Sequence, residues 1–293
     1  MNIAVVGSWH NAFVTAACLA HVGHEVTLVN ERAAPWLKRP ILPLDEPGLP
    51  ELMAAVRWAN LGDALDADVT WIACDTPLHA DGSPDVAYVF DVAKKVALPR
   101  KIVVSSQMPL GSCRALESVL GVPVVYVPEN MRIGDAVEGF LRPDRLVIGA
   151  ALHEPRMYVL RLLYPIVASL AKKPSWNEPF LCSLETAEMV KHATNAFLAT
   201  SISFANEIAR IGSVHGVDSD VVAQALRADS RIGQKAYVRA GAGFGNGTLE
   251  RDLIALQKIA PSCSPLIDAV LAVNERTTKP EPTPHELHLK GKK

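Results

Sequence analysis

Aromatic side chains are scarce in this chain, at 6% of its 293 residues. No apolar run approaches the ~20 residues that a membrane-spanning helix needs, so a helical membrane protein is not expected. An excess of one charge is also missing. Lys and Arg number 29 against 31 Asp and Glu, for a formal charge of −2, and neither nucleic acid nor an anionic membrane surface is an expected partner. Cysteine is sparse and unpatterned: Cys18, Cys74, Cys113, Cys182 and Cys263 follow no disulfide or metal-ligand spacing. No metal is expected, and a reducing cytoplasm is. The opening Met-Asn-Ile-Ala-Val-Val-Gly lacks a basic segment or cleavage site, which argues against a secretory leader. What is present is ordinary for a soluble protein of about two domains, with 49% hydrophobic and 20% charged residues.

Strand-like and helix-like patterns alternate through the first half. Ile3–Val6, Val26–Val29, Val69–Ala73, Ile102–Ser105, Val124–Val127 and Leu146–Ile148 are short, apolar and rich in β-branched residues, as buried parallel strands are. Between them lie helical patterns at Ala12–His21, Glu51–Trp58, Val86–Val96 and after Ser112, with another at Arg156–Ala168. A proline-rich connection covers Pro35–Pro50. From Leu184 to about Arg210 a long helix with few breakers is predicted, then shorter ones at Asp218–Leu226 and Asp252–Ile259. The expected fold is α/β: a doubly wound, mostly parallel Rossmann sheet over residues 1–182, followed by an all-helical domain with a long central helix over 183–276. Residues 277–293, with three prolines and a Lys-Gly-Lys-Lys end, are expected to be a disordered tail.

The first turn, Gly7-Ser8-Trp9-His10-Asn11-Ala12, stands where a dinucleotide fold carries glycine at three places. Gly7 and Ala12 suit the first and third. Trp9 replaces the second, which normally lets the backbone approach the pyrophosphate. The helix N-terminus still offers amides to an anion, so Gly7, Trp9, His10 and Asn11 are candidate cofactor residues. The second strand ends in Asn30, not a carboxylate, with Glu31 and Arg32 after it. Asn30 in place of a carboxylate removes repulsion against a 2′-phosphate and Arg32 suits one, a pattern that leans toward NADP, while Glu31 suits the ribose of NAD. The cofactor is therefore NAD or NADP.

The order of landmarks resembles the UDP-glucose/GDP-mannose dehydrogenase family. The segments that carry it are Gly23–Val26, LPLDEPGLPEL (Leu42–Leu52), DTPLHADGSPD (Asp75–Asp85), MPLGS (Met108–Ser112), PENMRIGDAV (Pro128–Val137) and RPDRLVIG (Arg142–Gly149). The helical half adds EMVKHATNAFLATSISFANEIA (Glu188–Ala209) and RIGQKAYVRAGAGFGNGTLERDLIAL (Arg231–Leu256). The resemblance implies oxidation of a nucleotide sugar's primary alcohol to a carboxylate by two hydride transfers, with a cysteine trapping the aldehyde. It implies catalytic roles for Lys191, Asn195, Asp252 and Glu129, and cofactor contacts at Thr76, Pro77 and Gln107, the last replacing a threonine. It implies substrate contacts at Arg231, Phe244 and Gly245, with Arg231 reaching a neighbouring subunit, and a homodimer built on the long helix. Lys191 and Asn195, four apart, leave the same helix face.

The departures carry equal weight. The family's Gly-Gly-Ser-Cys-Phe-Pro-Lys-Asp becomes Asn-Gly-Thr-Leu-Glu-Arg-Asp, so Thr248 holds the nucleophile's place. A threonine hydroxyl lacks a thiolate's nucleophilicity at neutral pH. The family's third domain has no counterpart before residue 293. The expected activity is thus a single two-electron oxidation of an alcohol on a small molecule, possible also in reverse, as in two-domain β-hydroxyacid dehydrogenases. The alternative is a non-catalytic relative that binds a nucleotide or sugar nucleotide.

Overall fold

Residues 3–6 set small and β-branched apolar side chains in succession, and they form most of the strand from which the sheet grows in both directions. A computed structural model describes residues 1–32, 46–63, 67–96, 101–129, 131–170, 178–245 and 247–279. These fall into two compact units, Met1–Lys191 and His192–Lys293. The tail reading falls largely on 280–293, and most of the proline-rich connection on 33–45, outside the described residues.

The first unit runs β1 (Asn2–Val6), α1 (His10–His21), β2 (Glu25–Asn30), α2 (Leu49–Met53), β3 (Arg57–Asn60), β4 (Val69–Ile72), α3 (Val86–Val96), β5 (Ile102–Val104), α4 (Ser112–Leu120), β6 (Val124–Tyr126), α5 (Ala136–Leu141), β7 (Val147–Ala150), α6 (His153–Leu162), α7 (Tyr164–Leu170) and β8 (Phe180–Cys182), then the first turns of α8 (Leu184–Ser213). The sheet order is β3-β2-β1-β4-β5-β6-β7-β8. The strands from β3 to β6 are parallel; β7 runs antiparallel to β6, and β8 parallel to β7. Alternate residues feed two cores. Ile3, Val5, Trp71, Val103 and Val125 face α1, α5, α6 and α7, while Ala4, Val6, Ile72, Val104 and Tyr126 face α3, α4 and Leu184 and Ala187 of α8. Burial on both faces is why these strands read as continuous apolar runs. The order reverses between β1 and β4, and a crevice beyond their carboxyl ends is where doubly wound sheets bind ligands.

The second unit holds the rest of α8, then α9 (Ser219–Ala228), α10 (Thr248–Ile259), a single 3-10 turn at Pro261–Cys263, and α11 (Pro265–Thr278). Asp218 caps α9 by accepting from the amides of Asp220 and Val221. Ala199, Phe244, Leu253 and Val270 form its core.

Several elements differ from expectation. The segment predicted as a helix over Glu51–Trp58 divides into α2 and the edge strand β3, whose four residues are too few for periodicity to tell strand from helix. The single helix predicted over Arg156–Ala168 is two, α6 and α7, because Pro165 cannot donate to a continuous ladder. The short α5 and β8 and the whole of α11 were not anticipated, and α11 continues to Thr278, past the expected start of the tail.

Candidate active site

Gly7 follows β1 and lies against two neighbours. A Cβ built on it would come 2.4 Å from the Ala12 Cβ and 2.8 Å from the Ala73 carbonyl oxygen. This position thus supports close packing of turn, helix and β4. At Trp9 the backbone is extended, with φ −130° and ψ 176°, a conformation open to any L-residue. Tryptophan therefore replaces glycine here without backbone strain, and the indole is 46% exposed. The Trp9 carbonyl accepts from the Ala12 and Phe13 amides at 3.0 and 3.2 Å, and no side chain caps the start of α1. Asn11 ties this turn to the end of β5: its Nδ2 donates to the Ser105 carbonyl at 3.2 Å, and its Oδ1 accepts from Thr15. The His10 ring is turned to Glu46, with Nε2 donating to Oε2 at 2.9 Å.

At the end of β2, Asn30 Oδ1 accepts from the Arg32 amide at 3.0 Å, so this side chain is used in a local turn. The Arg32 side chain is largely exposed, with Nε 3.7 Å from Glu31. The buried Glu31 turns back to the first turn, and its Oε1 accepts from Ser8 Oγ at 2.8 Å and from the Tyr88 hydroxyl at 3.5 Å. Burial pushes the Glu31 carboxyl up, against the opposing effect of Ser8. Its Oε2 is buried and has no donor among the described residues.

Beyond β4, the Thr76 hydroxyl donates to the Gln107 carbonyl at 2.8 Å, joining the loops that follow β4 and β5. The Pro77 carbonyl accepts from the Asp85 amide at 2.7 Å. A cavity of about 50 Å³ at this end of the sheet has Asn11, Thr15, Ser105, Glu129 and Arg145 in its wall. Glu129 follows β6 and meets α8 there. Lys191, 6% exposed, donates from Nζ to the Glu129 carbonyl at 2.8 Å and lies 3.1 Å from Oε2. The other carboxylate oxygen accepts from the Met131 amide. The first unit thus brings Lys191 and Glu129 together.

Within the second unit, Asp252 of α10 is 1% exposed. Asn195 Nδ2 donates to its Oδ2, and His192 Nδ1 lies 3.1 Å from its Oδ1. Thr248 is the first residue of α10, one turn before Asp252, and is exposed. Phe244 is a core residue whose amide and carbonyl pair with the Asn274 side chain at 2.9 and 2.8 Å. Gly245 is exposed, and its carbonyl accepts from the Gly247 amide. Arg231 is exposed and pairs with Asp229 through Nε at 3.0 Å and a terminal nitrogen at 2.7 Å.

His192, Ser8, Tyr88 and Glu46 join these groups without having been singled out from the sequence. His192 had a signal, since it adjoins Lys191 in the quoted helix segment and falls three before Asn195. Glu46 had one as well, lying within the quoted LPLDEPGLPEL. Ser8 had one too, within the quoted first turn, and Tyr88 had none. Among the described residues no cluster of three His, Cys, Asp or Glu could hold a metal, and no helix is long and apolar enough to cross a membrane.

Residues 1–167 match the NAD binding domain of the UDP-glucose/GDP-mannose dehydrogenase family, and residues 185–276 match its central domain. UDP-glucose 6-dehydrogenase TuaD of Bacillus subtilis is 34% identical over 300 residues, covering 94% of this chain and 63% of the relative. The UDP-glucose 6-dehydrogenase of Pseudomonas aeruginosa is 33% identical, covering 94% and 66%. This chain therefore spans roughly two thirds of the length of such relatives. The structure of a UDP-glucose dehydrogenase from Pyrobaculum islandicum superposes with a TM-score of 0.80 at 30% identity, covering 94% of this chain and 68% of that one. The 3-hydroxyisobutyrate dehydrogenase of Mycobacterium tuberculosis shares the fold alone, with a TM-score of 0.59 at 15% identity over 92% of its length. The chain belongs to the UDP-glucose/GDP-mannose dehydrogenase family.

Proposed function

We propose that this chain is an NAD-dependent dehydrogenase that oxidises the primary alcohol of a sugar nucleotide by one two-electron step. What chiefly supports a working site is that Lys191, Asn195 and Asp252 are all retained in buried, hydrogen-bonded settings while Thr248 replaces the thiol. NAD, when bound, accepts the hydride. The Asp252 carboxylate takes the hydroxyl proton, and Lys191 and Asn195, a turn apart on α8, steady the developing alkoxide. Removal of one hydride and one proton gives an aldehyde, NADH and H⁺. No thiolate captures that aldehyde, so oxidation ends there.

The choice of NAD over NADP is supported by Glu31. Its buried Oε2 lacks a donor among the described residues, which a ribose hydroxyl would supply, and its charge would oppose a 2′-phosphate. Gly7, Trp9, Asn11, Thr76, Pro77 and Gln107 would hold that cofactor, with the uncapped start of α1 offering amides to an anion. A homodimer is supported by Phe197, Phe204 and Ile211, which are exposed at seven-residue intervals along α8. Arg231, Phe244 and Gly245 are then the substrate loop. A second reading, a non-catalytic nucleotide-binding relative, is favoured by the exposed Trp9 beside the phosphate path.

Thermal shift and Trp9 fluorescence with NAD and NADP decide between them. A ligand at 100 times its Kd stabilises by about 2.7 kcal/mol. No response to millimolar NAD removes the enzyme reading. Where NAD binds, Lys191→Ala should abolish turnover and leave that response intact, and the product should be an aldehyde; an acid product contradicts the two-electron step.

A further inference from the structure

Glu188 is a fully buried carboxylate that the proposed chemistry leaves unused, at 0% exposure. Its Oε2 accepts from the Gly111 amide at 2.6 Å and its Oε1 from the Cys113 amide at 2.7 Å. These amides open α4, whose N-cap is Gly111 at φ +84°, with no side-chain cap from its own segment. A residue 75 positions further along the chain thus satisfies two of that helix's orphan donors, at the positive end of its dipole. The same two turns of α8 are fixed at a second point. A Cβ on Gly149 of β7 would lie 2.5 Å from the Ala187 Cβ and 2.9 Å from the Ser183 carbonyl, so α8 rests directly on the sheet. At the surface, Arg114 of α4 pairs with Glu185 at 3.0 Å.

Lys191 follows Glu188 by three residues and therefore lies on the same side of the helix. The loop that Glu188 grips also carries Gln107, held by Thr76. We propose that Glu188 is a positioning residue for Lys191: its two hydrogen bonds to the start of α4 set where the first turns of α8 lie, and so hold the Lys191 amine on Glu129. The effect on turnover rests on the dehydrogenase reading above; the placement of the amine does not.

The test is Glu188→Gln in the full chain, which keeps the side chain's size but faces an amide NH₂ toward one of the two backbone donors. Two measurements are made at a temperature where circular dichroism shows the variant folded. The first is the acetylation rate of Lys191 with acetic anhydride, read by peptide mass spectrometry against the exposed Lys94. The second is the split between kcat and KM. Acetylation of Lys191 should rise at least fivefold, and kcat should fall 10- to 100-fold with KM and NAD affinity within twofold. Glu185→Gln, which breaks only the surface pair, should change neither. Lys191 acetylation within twofold of the wild type overturns the proposal, whatever happens to kcat, and so does unchanged kcat in an active enzyme. If the wild type has no turnover, the dehydrogenase reading fails and the acetylation rate alone decides the placement. If the glutamine variant does not fold, Glu188→Asp, which keeps the charge but is one methylene short, is judged by the same acetylation criterion.

Discussion

Glu46 offers the sharpest test of how the starts of α1 and α5 are held together. Its buried carboxylate accepts three hydrogen bonds: Ala136 N at 2.6 Å on Oε1, and Gly134 N and His10 Nε2, each at 2.9 Å, on Oε2. One side chain therefore joins the first turn of α1 to the start of α5. In Glu46→Gln the amide keeps one acceptor and points its NH₂ at a backbone N–H. A hydrogen bond to a charged group contributes about 1.5–3 kcal/mol, and a buried unsatisfied donor costs about 1–3 kcal/mol. The expected loss is about 3–5 kcal/mol, which at 2–4 °C per kcal/mol lowers Tm by about 6–20 °C. The pH dependence has a definite sign. Burial opposes ionisation, but the Ala136 and Gly134 amides and the His10 ring outweigh it and hold the carboxyl below its ordinary value. Its contribution is complete above the ordinary carboxylate range near ~4.3 and is lost as pH falls through the lower folded value. Calorimetry of both proteins at pH 7 and across pH 5 to 3 should show a wide gap that narrows on acidification. A gap under 2 °C at pH 7, or one that persists unchanged at pH 3, refutes the reasoning.

Gly7→Ala drives a methyl into Ala12 and the Ala73 carbonyl, and should destabilise by about 1–3 kcal/mol and weaken NAD binding, read by thermal denaturation with and without the cofactor. Burial pushes the Cys18 and Cys74 thiols each up to about 12, so at pH 8 their thiolate fraction is ~10⁻⁴. A maleimide should label the exposed Cys263 first and leave Cys18 and Cys74 untouched until denaturant is added, as mass spectrometry of peptides will show. Thr248→Cys should restore capture of the aldehyde and shift the product toward the acid; a product still wholly aldehyde would mean that more than the thiol is missing.

The parts of the fold legible in the sequence were those with a strong local period or long apolar runs. Strands β1, β2 and β4 to β7 showed as buried runs because both faces are covered. Helix α8 showed because no Gly or Pro interrupts it before Gly212. What failed was short or peripheral. The four residues of β3 and three of β8 pair at the edges of the sheet, where partners rather than composition decide the conformation. The break between α6 and α7 was marked by Pro165, a signal present but outweighed by the apolar periodicity on either side.

At the site the division runs along the same physical line. Lys191 and Asn195 were singled out by the family resemblance, and their spacing added that a helix sets both on one face. Asp252 and Glu129 came from the family resemblance, and the structure pairs each with one of the two helix residues. The carboxylates that tie neighbouring elements of the first unit together resisted prediction because their partners are distant in sequence: Glu46 acts on amides about 90 residues away, and Glu188 on amides 75 and 77 away. No period or local motif encodes such a contact. Trp9 shows the opposite limit. A fingerprint assigns glycine to its position because of the ligand, whereas the backbone there is extended and accepts any side chain. Loss of the glycine therefore bears on how closely a pyrophosphate approaches and not on whether the turn forms, so binding of NAD to Trp9→Gly against the wild type isolates the contribution of the indole alone. Tighter binding by the glycine variant would mean that the side chain obstructs the phosphate path; weaker binding would mean that it covers the bound cofactor.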